Sequence, residues 1–266
     1  NRSGKYCIYY AKSTDGGNSF CSSIRVDDGS AGNKTKPSVA VDNNGYVHVV
    51  WQDQRNDELH ASAYWKADIY YTKSTDGGKS FLAPNVRVDV SPTNTGQGAA
   101  SIAVDGNCYI HIAWYDYRDG NGDIYYAKSI DGGLSFSNPN VRVDSSGTSD
   151  ESCPSIAVDS NNNPHVVWTH DAGATNEVYY AKSTDGGNTF SDDIRIHNRD
   201  QGRPSIAVDS NNIIHVVCED SDGISISIYY ANSTNGGTSF NSVVRVSDVV
   251  NEVWQIGPSI ALDSWN

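Results

Sequence analysis

The apolar positions of this chain come in short bursts, and the bursts return in the same order about every 50 residues. One unit, from Pro154 to Asn198, reads PSIAVD, a turn of Asn and Ser, PHVVW, a variable polar loop, EVYYAKS, a DGG turn and DIRIHN. Four β-rich runs separated by turn chemistry predict a four-stranded antiparallel meander. In the first run Ser155 and Ala157 share one face while Ile156 and Val158 share the other, and Ser38/Ala40, Ser101/Ala103, Ser205/Ala207 and Ser259/Ala261 repeat the alternation. Side chains this small predict crowding, as at the hub of a ring where larger ones would overpack. The second run, HVVW at His48 and His165 and HIAW at His111, is apolar on both faces and predicts a strand sandwiched between sheets. Its last version, HVVC at His215, puts Cys218 where the others have Trp. The third run, IYY, suits a sheet surface, and the fourth, with Arg25, Arg87, Arg142, Arg195 and Arg245 between β-branched neighbours, predicts a half-exposed outer strand.

Such units wheeled about an axis make an all-β chain, a β-propeller of four-stranded antiparallel blades. The chain enters at a third strand (Lys5 to Lys12) and leaves just after a first strand (Pro258 to Asp263), so one domain over 1–266 is expected, its closing blade shared between 1–28 and 254–266. Complete units place 19 positions between the first-strand Asp and the third-strand Ile or Val (Asp105 to Ile124, Asp159 to Val178, Asp209 to Ile228). The two ends together supply only 11, so the closing blade lacks its second strand. Five blades are expected, or six or more if the array continues past these termini.

The turn between third and fourth strands recurs five times: STDGGNSF at Ser13, STDGGKSF at Ser74, SIDGGLSF at Ser129, STDGGNTF at Ser183 and STNGGTSF at Ser233. Asp15, Asp76, Asp131 and Asp185, with Asn235 in the last copy, are placed to accept backbone N–H groups of their own loop, and the glycines supply positive φ. Phe20, Phe81, Phe136, Phe190 and Phe240 follow as inward plugs. The string resembles the Asp-box, S-x-D-x-G-x-[ST]-[FW], of the sialidase-like, or BNR-repeat, β-propellers, and the five copies span most of the chain. The resemblance implies that the box is structural and lies opposite the active site. It also implies, for a true sialidase, three arginines on the substrate carboxylate, a Tyr/Glu nucleophile pair, an acid/base Asp and an early Arg-Ile-Pro motif. No Arg-Ile-Pro occurs here, and five of the ten arginines fill the repeated fourth-strand slot.

Composition narrows the partners. Net charge is -13, from 32 acidic against 19 basic residues, which opposes phosphate backbones and anionic lipid and so excludes nucleic acid as a partner class. No apolar run is long enough for a membrane span, and no signal sequence opens the chain. The absence of any Met is what a processed or truncated product would show. With 24 Gly and self-capped turns, the chain reads as an extracellular or cell-surface display scaffold whose partner is carbohydrate or another extracellular polymer, or further copies in a self-assembled surface structure. Five cysteines (Cys7, Cys21, Cys108, Cys153, Cys218) leave at least one unpaired and show no zinc spacing, so no disulfide framework is inferred. Sequons at Asn1, Asn33 and Asn232 bear on glycosylation only in a eukaryotic source.

A unique site is sought in what does not repeat, on the face opposite the boxes, where second-to-third loops emerge. The longest of these, Asp53 to Asp68, holds Arg55, His60, Tyr64 and Trp65; Tyr115, Arg118 and His170 join them as candidate ligand-binding residues, since aromatic faces and guanidinium forks suit sugars. Asp53, Asp116 and Asp220 recur after the second strand. Carboxylates are what glycoside hydrolysis needs, and these three are the catalytic candidates of the alternative reading, a glycoside hydrolase or lyase. Their repetition favours turn capping, so the leading reading is non-catalytic. Asp119, Asn121 and Asp123 space oxygens as a calcium loop does, without its following Gly and distal Glu. No other metal or cofactor is indicated, and His48, His111, His165 and His215, held apart in separate units, read as structural.

Overall fold

The structure, a computed structural model, describes residues 5–56, 66–91, 95–145, 147–197, 200–221, 225–248 and 254–263. Every regular element among them is a strand, and no helix is long and apolar enough to cross a membrane. A two-stranded sheet of β1 (Tyr9–Tyr10) and β2 (Ile24–Arg25) comes first. Four antiparallel four-stranded sheets follow in chain order. They comprise β3 (Lys34–Val41), β4 (Val47–Asp53), β5 (Asp68–Ser74) and β6 (Val86–Arg87); β7 (Gln97–Val104), β8 (Ile110–Asp116), β9 (Asp123–Ser129) and β10 (Val141–Arg142). The last two comprise β11 (Glu151–Val158), β12 (Pro164–Asp171), β13 (Asn176–Lys182) and β14 (Ile194–His197); β15 (Asp200–Val208), β16 (Ile214–Ser221), β17 (Ile226–Ser233) and β18 (Val244–Arg245). Strand order within each is that of a meander, so each repeat closes on itself as one sheet.

The first strands β3, β7, β11 and β15 pack side by side in sequence. The small residues explain how. Ser101 Oγ accepts the Ile156 N–H at 3.2 Å, and Ser155 Oγ accepts the Ile206 N–H at 3.3 Å, so a side chain of one strand satisfies the backbone of the next. Each first strand carries a bulge against its second strand, between Thr35 and Ser38, Gly98 and Ser101, Ser152 and Ser155, and Gly202 and Ser205. Lys36, Ala99, Cys153 and Arg203 sit in these bulges with φ of 50°, 49°, 49° and 45°. Three precede a proline, Pro37, Pro154 or Pro204, which has no N–H to give the ladder and so belongs at a bulge.

Between sheets the same joint recurs. Val50, Ile69, Tyr71 and Val88 of one sheet bury against Ile110, Ile112, Trp114 and Tyr125 of the next, and Val143, Tyr126 and Ala113 meet Val166 and Trp168 in the same way. The third-strand tyrosine organises it: Tyr71, Tyr126, Tyr180 and Tyr230 hydroxyls lie 2.6–2.7 Å from Nδ1 of His48, His111, His165 and His215. The Nε2 atoms face Asp42, Asp105, Asp159 and Asp209 at 3.2–3.6 Å. Burial lowers the pKa of His48 and His111, which keeps those two rings neutral. The tyrosine face then receives the next unit's turn. Phe81, Phe136, Phe190 and Phe240 meet Tyr10, Tyr71, Tyr126 and Tyr180 edge to face at 5.1–5.6 Å.

The turns themselves are closed by their own side chains. Asp131 accepts from Ser129 Oγ (2.7 Å), from the backbone of Leu134 and Ser135 (3.0 Å each) and from Ser135 Oγ (2.5 Å). These donors hold its pKa down at about 2 against the pull of burial, and Asp15 and Asp185 are held at about 2 by the same kind of bonds. Asp76 repeats the pattern, and Asn235 keeps part of it by donating to Ser239 Oγ at 2.8 Å.

The ends depart from expectation. Phe20 does not plug inward but is 67% exposed, and among the described residues no tyrosine stands behind Gly17 as one does behind Gly78, Gly133, Gly187 and Gly237. Pro258 to Asp263 takes a first-strand position, with the Ile260 N–H on Ser205 Oγ at 3.2 Å, and has no strand assignment, while β1 pairs with β2. The described residues therefore hold four complete sheets, a two-stranded sheet before them and a first-strand-like segment after them.

Candidate functional site

The bulges aim non-repeating side chains at one place. Lys36, Ala99, Cys153 and Arg203, with Gly257 at φ 68°, line a cavity of about 450 Å³ around the mouth of the hub. Left-handed backbone at four non-glycine residues is costly, on the order of 1 kcal/mol or more each, and persists only where the surroundings impose it. Here the following prolines and the flanking ladders do so.

Two further cavities share a wall with this one. Lys36 also lines a cavity of about 290 Å³ with Tyr6, Asn33, Gln52, Gln54 and Tyr115. Cys153 and Arg203 also line one of about 460 Å³ with Thr169, Asn176, Glu219 and Trp254. The three adjoining cavities make a segmented groove by the hub, aromatic at both ends and cationic in the middle. Gly98 shapes the first arm: a Cβ there would stand 2.6 Å from the Tyr115 hydroxyl and 2.7 Å from Gln52 Oε1, so only glycine lets both side chains in. Gln52 is buried and its Oε1 has no hydrogen-bond partner. The Lys36 ammonium stands 5.7 Å from the Tyr115 ring centroid. In the other arm Arg203 faces Glu219 at 3.6 Å, and Glu219 Oε1 accepts the Gly257 N–H at 2.6 Å, tying the last described segment to the rim. Trp254 is 71% exposed, an open aromatic face beside the groove.

The residues nominated from sequence are distributed otherwise. Tyr115 lines the groove. Arg55 and Arg118 are not brought together; each stays in its own sheet, over Tyr70 at 3.7 Å and Tyr125 at 3.9 Å. Each also binds the aspartate two residues before it, Arg55 to Asp53 at 2.7 Å and Arg118 to Asp116 at 2.5 Å. Those aspartates also accept the indole N–H of Trp51 and Trp114, and both are fully buried. Asp220 is buried in the last complete sheet, where its charge joins burial in pushing the Cys218 thiol up to about 12. His60, Tyr64 and Trp65 lie outside the described residues. In the calcium-like loop, Asp119 accepts from the Tyr125 hydroxyl, while Asp123 accepts from Arg142 and from the Asn121 amide N–H, so Asn121 turns a donor and not its oxygen toward Asp123.

His170 has a partner the sequence did not offer. In β3 and β7 the second strand's terminal aspartate faces Lys34 or Gln97. In β11 and β12 the polarity is reversed, and Glu151 lies 2.6 Å from His170 Nδ1. Glu151 is buried, its Oε2 has no partner, and burial raises its pKa to about 7 against the pull of His170 and the Trp168 indole. Glu151 was missed because its position in the repeat is otherwise filled by neutral or basic residues. Lys36, Cys153 and Arg203 were missed although a signal existed: three different side chains stand directly before the Pro-Ser that opens the repeated first run.

No protein-family model matches the chain, and no curated protein matches it. Solved structures do. One, from Dyadobacter fermentans and described as a protein of unknown function, superimposes with a TM-score of 0.63 at 14% identity over 83% of this chain and 71% of that one. The NanB sialidase from Streptococcus pneumoniae gives 0.62 at 11% identity over 90% of this chain. The α-L-arabinanase of Penicillium chrysogenum, complexed with arabinobiose, gives 0.60 at 14% identity over 80%. The chain spans 56% of the sialidase's length and 66% of the arabinanase's. At these identities the likeness is one of fold: the repeated four-stranded sheets are arranged as the blades of a β-propeller.

Proposed function

We propose that this chain is a non-catalytic binding module that holds an extended carbohydrate, or a polymer of similar chemistry, in the groove by its hub. The observation that carries the reading is the row of three adjoining cavities that share Lys36, Cys153 and Arg203, positions at which the repeated units differ. A trough of this kind suits a polymer more than a compact ligand. Tyr115 and Trp254 offer aromatic faces for sugar rings, and Gln52 offers a desolvated acceptor for a hydroxyl. Two cations at the centre of a chain of net charge -13 favour acidic units in the polymer. The fold is shared with a sialidase and an arabinanase, which supports a saccharide partner. A secreted or surface location, and one propeller domain over 1–266, go with this reading.

The test is affinity electrophoresis of the protein through neutral, carboxylated and sulfated polysaccharides. Retardation by at least one acidic polymer is expected, weakened roughly tenfold or more in Lys36→Ala with Arg203→Ala, two charge-assisted contacts being lost. No retardation by any polymer overturns the proposal. One observation favours a second reading, hydrolysis or lysis of the glycan. Glu151, held protonated near neutrality beside His170, has the ionisation of a general acid. Product release from the retained polymer, abolished in Glu151→Gln with binding unchanged, would establish that reading in place of the first.

A further inference from the structure

One position of the repeat sets what the walls of the groove present. The residue directly after the second-strand Trp, or after Cys218 in the last complete unit, is Gln52, Tyr115, Thr169 or Glu219. Gln52 and Tyr115 line the arm of about 290 Å³, and Thr169 and Glu219 line the arm of about 460 Å³. The residues before this position repeat from unit to unit, so the differences at it act on what enters the groove and not on how the sheets stack.

The two arms use these side chains differently. Thr169 Oγ1 accepts the Arg203 N–H at 3.0 Å, and Glu219 accepts the Gly257 N–H while facing the Arg203 guanidinium at 3.6 Å. Both are thus engaged within the protein. In the other arm Gln52 is 6% exposed and its Oε1 accepts no hydrogen bond. A buried acceptor without a donor is a standing cost, removed when a ligand brings an O–H or N–H to it. Lys36 stands at the same arm. Lys34, two residues earlier, is buried, with Nζ facing Asp53 and donating to the carbonyls of Ser30 and Gly32. Lys36 is instead exposed and joins no ion pair among the described residues. With its ammonium 5.7 Å from the Tyr115 ring centroid, this cation sits beside an aromatic face. Tyr6 lines the same space, fixed by its N–H on Asn33 Oδ1 and its carbonyl on the Lys34 N–H, 3.0 Å each.

We infer that this arm is a subsite for one uronate residue of a polysaccharide, an inference that rests on reading the groove as a carbohydrate trough. The pyranose ring lies on Tyr115, a ring hydroxyl donates to Gln52 Oε1, and the carboxylate meets Lys36. A cavity of about 290 Å³ is at the small end of ligand pockets and matches a single sugar ring. The closeness of Lys36 to the aromatic face selects an anion attached directly to that ring. A sulfate ester on the exocyclic oxygen carries its charge two bonds further out, and a neutral sugar leaves Lys36 unpaired.

The probe is methyl glucuronoside, with methyl glucoside and methyl glucoside 6-sulfate as comparisons, titrated into the intact 266-residue protein and followed by ligand-observed NMR. We expect the glucuronoside to bind roughly tenfold or more tighter than the glucoside, one charge-assisted contact apart, and tighter than the sulfate. Gln52→Leu removes an acceptor that no protein donor uses, and should weaken glucuronoside binding about fivefold or more without lowering Tm. Gly98→Ala should do the same through space, since its Cβ would meet the ends of the Tyr115 and Gln52 side chains and push them into the arm. Lys36→Ala should lose the preference for the acid, whereas Lys79→Ala, which removes an exposed positive charge from a turn, should bind as the parent does. Equal affinity for glucuronoside and glucoside, or full affinity in either Gln52→Leu or Gly98→Ala, overturns the assignment. So does an equal loss in Lys79→Ala and Lys36→Ala, which would make the attraction one of net charge. Retardation by acidic polymers that the glucuronoside does not compete overturns the subsite and leaves the binding module standing. Glucuronoside binding without retardation by any polymer supports the subsite and removes the polymer.

Discussion

Glu151 is the residue whose environment departs furthest from what its type prefers. Its carboxyl is buried, and burial raises its pKa from 4.5 to about 7. Asp123 is raised to about 6, by burial first and the nearby Asp144 second, with Arg142 opposing. Both groups bind more protons folded than unfolded, so between about pH 4.5 and 7 they make stability fall as pH rises. The box aspartates act oppositely: held at about 2, Asp131 and Asp185 lose their contribution as pH falls through the acid range. Stability should therefore peak near pH 4 to 5. Urea denaturation across pH 4 to 8 is expected to show a decline above the peak, shallower by about 2–3 kcal/mol in Glu151→Gln. An unchanged slope would mean that Glu151 ionises normally. The sequence made His170 visible because it broke the run of aspartates at its position. Glu151 stayed hidden, since only strand register shows that it stands opposite His170.

At the scale of the element, the third-to-fourth turn does two jobs that the sequence displays as one string. The Asp, the Ser or Thr and the positive-φ glycines are local, and their bonds could be written down from spacing alone. The second glycine also has a distant reason. A Cβ on Gly133 would stand 2.3 Å from the Tyr71 ring of the preceding sheet, and Gly187 and Gly237 press on Tyr126 and Tyr180 in the same way. In the first turn, Gly17 has the same backbone, φ +91° against +86°, with nothing within 4 Å of the Cβ site. The pair separates backbone strain from packing. Gly17→Ala is expected to cost about 1 kcal/mol, the backbone penalty alone, and Gly133→Ala about 3 kcal/mol or more, since the tyrosine must leave its histidine. Equal losses by thermal denaturation would show that the tyrosine face yields freely. Periodicity foretold the turn but not its neighbour, because a repeat specifies a unit before it specifies what the unit leans on.

For the whole molecule, sheets touching only their neighbours make stability a sum of unit and joint terms, and the ends should be weakest. The sheets β7 to β10 and β11 to β14 are buried on both faces, and Trp114 and Trp168 are fully enclosed between them and their neighbours. At one end β1 and β2 contribute two residues each; at the other, the outer face of β15 to β18 leaves Val244 and Val246 exposed. This asymmetry was half legible. The spacing led to the expectation of a closing blade shared between 1–28 and 254–266 and short of a second strand; among the described residues the sheet of β1 and β2 packs on β4 and β5, and Pro258 to Asp263 sits on β15. Four joints bring Tyr, Gly and Phe together, whereas Phe20 in the first turn stays 67% exposed. Native-state hydrogen exchange should therefore show amides of β8 and β12 opening only with global unfolding, those of β17 sooner, and those of β1 soonest. If β1 is already as protected as β8, the two-residue pairing of β1 with β2 is not what limits its opening.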